Sequence, residues 1–271
     1  MSVSDTSANA VGGQVEAPSG RPDLPNQRRS DGAARAAECL AALREAWSVL
    51  HRVVAELPDP AFREPSLLPG WSRAHVATHI ARNADALVNL MTWARTGVEH
   101  PAYTSRADRD ADIEDGATRP AQVIREDLYA ACDRFHIAAG RMTETDWAAT
   151  VIHPHGRPLV ALEVPSLALF EAWHHLTDLD AGVTLADVPA AHLDRLLDIA
   201  VRPLRARAAG EPMRLVADLP DGRQRTWELA IATPSSSAEL SGPGVAVLAW
   251  LTGRSDGAEL TGVAPELSAW G

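Results

Sequence analysis

Between Ala34 and Val54 the apolar residues Ala34, Leu40, Leu43, Trp47, Leu50, Val53 and Val54 recur at spacings of three and four, the period of one buried helix face. Asp31 precedes the run as a candidate cap and Leu57-Pro58 closes it, which predicts a first long helix. Pro58, Pro60, Pro65 and the Pro69-Gly70 pair then mark a loop. A second stripe, Val76, Ile80, Ala84, Leu87 and Met91, predicts a helix that starts near Trp71-Ser72-Arg73 and stops before Gly97. After a polar loop, Pro120 suits the first turn of a third helix carrying Val123, Leu128, Ala131, Phe135, Ala138 and Met142. Residues 150–162, centred on His153-Pro154-His155-Gly156, read as a turn between short extended pieces. Pro165-Ser166 opens a fourth helix through Leu167, Phe170, Glu171, His174, His175 and Leu179, ending near Gly182.

Four amphipathic helices must bury their apolar faces on one another. They predict a four-helix bundle whose interior can host a site built from facing side chains. Beyond about residue 185 the pattern changes. A helix with Leu193, Leu196, Leu197, Ala200, Val201 and Leu204 precedes two strand-like runs, residues 213–219 and 225–232, joined around Pro220-Asp221-Gly222. A loop rich in Pro, Ser and Gly, a short apolar helix at 245–251 and a last strand-like piece follow. The expected class is α+β: a bundle over residues 32–184 and a small α+β domain over 185–271. Residues 1–31 hold almost no large apolar side chain to offset the entropy of ordering, and read as a disordered tail.

Composition narrows the chemistry. All 25 basic residues are arginine, so a lysine Schiff base, a P-loop lysine and a lysine general base are excluded. Asp and Glu total 36 and the net charge is −11, a field that disfavours nucleic acid and anionic membrane surfaces and favours small molecules. Cys39 and Cys132 are far apart and lack a CxxC context, which points to a reducing compartment. With neither a secretory nor a transit pattern at the N-terminus and no apolar run of membrane length, the expected location is the cytoplasm, as monomer or homodimer.

Two helices carry candidate ligands. His75 and His79 stand at i, i+4 on the second helix; advancing about 100° per residue, His79 lies about 90° from the stripe centre, at its edge, and His75 about 130° away, toward solvent or a neighbouring loop. Asn83, about 50° from the same centre, can orient a ligand or substrate, or only satisfy a buried carbonyl. On the fourth helix Glu171-x-x-x-His175 puts two ligand types on one face. His79, Glu171 and His175 would form a His₂Glu set with a coordination position left open, the catalytic pattern. The metalloprotease signature HExxH is absent.

The run Leu67-Leu68-Pro69-Gly70-Trp71-Ser72-Arg73-Ala74-His75-Val76-Ala77-Thr78-His79, continued through Asn83, Asn89-Leu90-Met91 and Trp93, resembles the metal-binding domain of mycothiol-dependent maleylpyruvate isomerases, which are DinB-like four-helix bundles. Glu171-x-x-x-His175-x-x-Asp178-Leu179 is similar to the second metal motif of that family, and Gly253-Arg254-Ser255-Asp256-Gly257 to its C-terminal arginine loop. The resemblance spans roughly residues 36–262. It implies that His79, Glu171 and His175 hold a divalent metal, usually zinc, that His75 and His174 stand outside, and that mycothiol is the co-substrate. It also implies that Arg254 faces developing enolate charge, although an arginine just after a helix C-terminus is also favourable by itself. Trp71 either packs the loop onto the bundle or faces the sugar part of the thiol. His153 and His155 read as surface residues.

In one respect the resemblance fails. Where an Arg-x-Arg pair is implied before the metal-binding Glu, this chain has Ala168 and Phe170. Loss of two cations suited to a dicarboxylate points to a different electrophile. The expected activity is therefore mycothiol S-transfer to an activated small molecule, in detoxification or natural-product assembly. Maleylpyruvate cis–trans isomerisation is the first alternative, and a non-catalytic, metal-stabilised binding module the second.

Overall fold

The computed structural model describes residues 25–205, 211–231, 239–265 and 267. The elements in chain order are α1 (Pro25–Glu56), α2 (Arg73–Thr96), α3 (Arg106–Ala117), α4 (Ala121–Ala139), the one-turn α5 (Glu144–Trp147), β1 (Thr150–Ile152), β2 (Pro158–Val160), α6 (Val164–Asp178), α7 (Ala190–Ala200), the one-turn α8 (Arg202–Arg205), β3 (Glu211–Asp218), β4 (Gln224–Ile231), β5 (Glu239–Pro243) and α9 (Gly244–Leu251). The architecture is mainly helical with a small C-terminal sheet, an α+β fold as expected.

Helices α1, α2, α4 and α6 are the bundle. Each of α1 and α2 packs against both α4 and α6, so α1 and α2 face each other across a diagonal. The core is the expected stripes: Leu43, Trp47, Leu50 and Val54 from α1, Val76, Ile80, Leu87 and Met91 from α2, Leu128 and Phe135 from α4, Leu169 and Leu176 from α6. It continues without interruption into Leu193, Leu197, Leu215, Leu240 and Leu248 of the C-terminal elements.

Three sequence expectations change. Helix α1 begins at Pro25 rather than at Asp31, while residues 1–24 of the expected tail lie outside the described residues. The polar loop before Pro120 contains α3, a helix with only Ile113, Gly116 and Ala117 buried. Its small face allows close approach: a Cβ on Gly116 would stand 2.5 Å from the Thr78 methyl of α2. Its C-terminus is held by Arg63, whose guanidinium donates to the carbonyls of Ala117, Thr118 and Arg119. Finally, the third strand precedes the apolar helix instead of following it. β3 pairs antiparallel with β4 around Gly222 (φ 83°) and parallel with β5, in the order β4-β3-β5, while the later strand-like piece is one bridge between Ser241 and Thr261. Most of the preceding Pro/Ser/Gly-rich loop, with residue 232 of the second expected strand, is outside the described residues.

Two fastenings position the site end of the bundle. Arg73 at the start of α2 donates from Nε to the carbonyl of Leu179 (2.7 Å) and from Nη2 to that of Asp180 (2.9 Å), joining α2 to the end of α6. The C-terminal unit docks through α7 against α6 and α9 against α7. The turn after α9 passes through Gly253 (φ 72°) and returns Arg254 to α6.

Candidate metal centre

The first turns of α2 and the last turns of α6 meet at this end, and three side chains converge there. His79 Nε2 lies 3.1 Å from Glu171 Oε2 and 2.9 Å from His175 Nε2, and the His175 nitrogen lies 3.1 Å from the same carboxylate oxygen. Glu171 and His175 reach this point together because four residues advance a helix by slightly more than one turn. His79 is 4% exposed, at the edge of the apolar stripe, where its spacing puts it.

Hydrogen bonds behind the ring of His175 fix its orientation. Its Nδ1–H donates to Asp178 Oδ2 (2.8 Å), leaving Nε2 to face inward, the carboxylate–histidine arrangement of metal sites. Asp178 is 1% exposed and accepts two parallel bonds from Arg254, Nε to Oδ1 at 3.0 Å and Nη2 to Oδ2 at 2.6 Å. The remaining Nη1 of Arg254 donates to the Thr252 carbonyl (3.0 Å). Arg254 thus acts on the cluster through Asp178, and its guanidinium is already paired.

The protonation pattern follows from the contacts. Burial lowers the His79 pKa to about 4, helped by repulsion from His175 and Arg109. Burial opposes charge on His175 as well, but hydrogen bonds to Asp178 and Glu171 overcome it and raise the pKa to about 9. Against its own burial, Glu171 is held well below the usual carboxylate range by the two imidazoles. Two imidazole nitrogens and a carboxylate oxygen, all within 4.8 Å of one another, are a set that could hold a metal ion. Among the described residues this is the only trio of His, Cys, Asp or Glu so placed.

The comparisons with known proteins bear on this geometry. Residues 43–180, half of the chain, match the model of the mycothiol maleylpyruvate isomerase N-terminal domain. The chain belongs to this family. Two crystal structures of the mycothiol-dependent maleylpyruvate isomerase, one of them a histidine-to-alanine variant, are similar to it with TM-scores of 0.76 and 0.75. Each is 30% identical, over 87% of this chain and 97% of the other. No match was found among curated proteins.

In this member of the mycothiol maleylpyruvate isomerase family, the other candidate residues fall into place by contact. His75 is outside the trio: its Nδ1 accepts from the Ser72 N–H (3.2 Å), capping α2, and its Nε2 lies 3.3 Å from Glu114 of α3. His174 faces the core, donating from Nδ1 to the Phe170 carbonyl (2.8 Å), and burial lowers its pKa to about 3. Trp71 stands beside the cluster, its ring 5.5 Å from that of His79. Asn83 is half-buried one turn further along α2, close enough to Tyr103 to influence its hydroxyl. His155 is exposed, whereas His153 is half-buried at the hairpin tip and feels the charge of Glu171.

Ala168 and Phe170, the two uncharged positions before Glu171, are both buried. Phe170 is buried and stacks on His174 at 3.9 Å, and Ala168 is 3% exposed in the bundle core. Sequence reading missed the cation that does stand at the site. Arg109, on the unforeseen α3, donates from Nη2 to His79 Nδ1 (3.2 Å), with its guanidinium 5.9 Å from the centre of the Tyr103 ring.

Proposed function

We propose that the protein is a thiol-dependent cis–trans isomerase of the maleylpyruvate type, in which His79, Glu171 and His175 hold a divalent cation and mycothiol is the thiol. The observation that carries this reading is the converging His₂Glu trio, in a chain that pairs with a mycothiol-dependent maleylpyruvate isomerase along nearly its whole length. Imidazole and carboxylate ligands suit zinc, and three of them leave a position for a further ligand. A zinc ion there supplies the charge that keeps a thiol of ordinary pKa, about 8.5, deprotonated at neutral pH.

The chain's own residues prepare the rest. Asp178 fixes the ring of His175, Arg254 fixes Asp178, and Trp71 closes one side. The nucleophile must come from the co-substrate, because Cys39 and Cys132 are buried and burial raises both thiol pKa values. Addition of a thiolate to the conjugated double bond makes one S–C bond and turns the double bond into a single one. Rotation follows, and elimination breaks the S–C bond, restores the double bond as trans and returns the thiol. A cytoplasmic setting belongs to the same reading, in keeping with two unpaired cysteines.

Thiol accounting separates isomerisation from transfer. With zinc-loaded protein, mycothiol and maleylpyruvate, the trans isomer is expected to accumulate while the mycothiol concentration stays constant. Turnover should vanish without zinc, without thiol, or in His79→Ala. Consumption of one thiol per product would establish transfer instead, and absence of conversion would overturn the isomerase reading.

A further inference from the structure

We propose that Arg109 and Tyr103 form an anion-receiving subsite beside the trio, which takes a carboxylate of the electrophilic substrate. The inference rests on the cation reading of the trio and adds where the second substrate binds.

The first observation concerns hydrogen-bond donors. A guanidinium has only donors, so Arg109 Nη2 at 3.2 Å from His79 Nδ1 requires a lone pair on that nitrogen and therefore places the ring proton on Nε2. When Nε2 gives its lone pair to a cation, Nδ1 must carry the proton, and the two groups then oppose N–H to N–H. His175 differs, because the acceptor Asp178 already stands behind it. Cation binding and the Arg109–His79 hydrogen bond therefore exclude each other, and loading the trio releases the guanidinium beside it.

The second observation is a buried hydroxyl beside the guanidinium. Tyr103 Oη is buried, Arg109 lies over its ring at 5.9 Å, and the side chains of Arg109 and Asn83 stand near enough to act on the hydroxyl. An acceptor on a ligand would give this O–H a direct partner. Arg109 and Tyr103 together offer a guanidinium edge and an O–H, a donor set suited to one carboxylate.

Charge points the same way. A divalent cation is offset by Glu171, and Arg254 is offset by Asp178. Among the described residues Arg109 has only Asp110 as an ion-pair partner, an acid that is 54% exposed and screened by solvent. A thiolate cancels the remaining charge on the cation, and the guanidinium stays unmatched until an anion arrives. Arg109 is the guanidinium that donates directly to a residue of the trio.

The test uses full-length protein and succinate, a saturated dicarboxylate that cannot react, in calorimetric titrations preceded by zinc. Wild type is expected to take up one zinc and then bind succinate. Arg109→Gln should weaken succinate binding about tenfold or more, the worth of a charged hydrogen bond, while binding zinc at least as tightly as wild type. Tyr103→Phe, which deletes one oxygen from a packed ring and keeps the fold, should weaken it severalfold. Arg106→Gln removes an exposed charge from the same helix and should change nothing. Zinc uptake with succinate affinity unaltered in Arg109→Gln and Tyr103→Phe would overturn the subsite alone. Failure of wild type to take up zinc would overturn both the subsite and the cation reading beneath it.

Discussion

Asp178 is the residue through which the C-terminal unit reaches the trio. Buried at 1% exposure, it holds its charge because His175 and Arg254 supply hydrogen bonds that outweigh burial and keep its pKa below the usual range. Removing one partner leaves a buried carboxylate short of compensation. Arg254→Ala is therefore expected to lower stability by about 3–5 kcal/mol in urea denaturation and to weaken zinc binding by about tenfold to a hundredfold, because His175 loses its fixed orientation. Arg254→Lys keeps the charge without the paired geometry and should recover only part. A loss under about 1 kcal/mol with unchanged zinc affinity would show that Arg254 does not act through Asp178. The arginine loop was legible from Gly253-Arg254, but its partner was not. Spacing along one chain says nothing about which carboxylate a distant turn will meet.

At the scale of elements, legibility followed apolar periodicity. The stripes of α1, α2, α4 and α6 were readable because each buries a continuous face, Glu171 and His175 because i, i+4 spacing puts them side by side, and His79 because it falls at the edge of its stripe. Helix α3 was not. Arg106–Ala117 is mostly charged, buries one large apolar residue and docks through the Gly116–Thr78 approach and the Arg63 cap, both tertiary features. Arg109 and Tyr103 were missed with it. The pair α1 and α4 carries a separate consequence. His51 and His136 are half-buried between them, with Trp47 and Tyr129 against their rings and a buried, unpartnered Nε2 on His51. Burial lowers both pKa values; Arg44 and His51 lower that of His136 further, while Asp133 acts against each shift. Both groups bind protons less readily folded than unfolded, so their contribution is full above the ordinary pKa near 6.5 and is lost as pH falls through the lowered values. Thermal stability is expected to drop between pH 7 and 5, and to drop less in the double variant His51→Gln, His136→Gln. Equal pH dependence in both proteins would contradict this.

Across the whole molecule, a net charge of −11 sits around a cluster that gathers cations. Salt screens charges beyond about 10 Å at ordinary ionic strength, so the charges beside the trio, Arg109 among them, outweigh the distant surface there. With no lysine in the chain, arginine supplies every fixed positive charge near the site. The bundle contributes the converging trio, the C-terminal unit returns Arg254 to Asp178 behind it, and the two solved relatives match over 87% of this chain. The account stands or falls on a cation at His79, Glu171 and His175 that accepts a thiol. The most direct measurement is the absorption spectrum of cobalt-substituted protein titrated with mycothiol. One cobalt per chain is expected, with a sulfur-to-cobalt charge-transfer band that grows to saturation at one thiol per metal and is absent in His79→Ala. Failure to bind cobalt, or a cobalt spectrum unchanged by mycothiol, would contradict it.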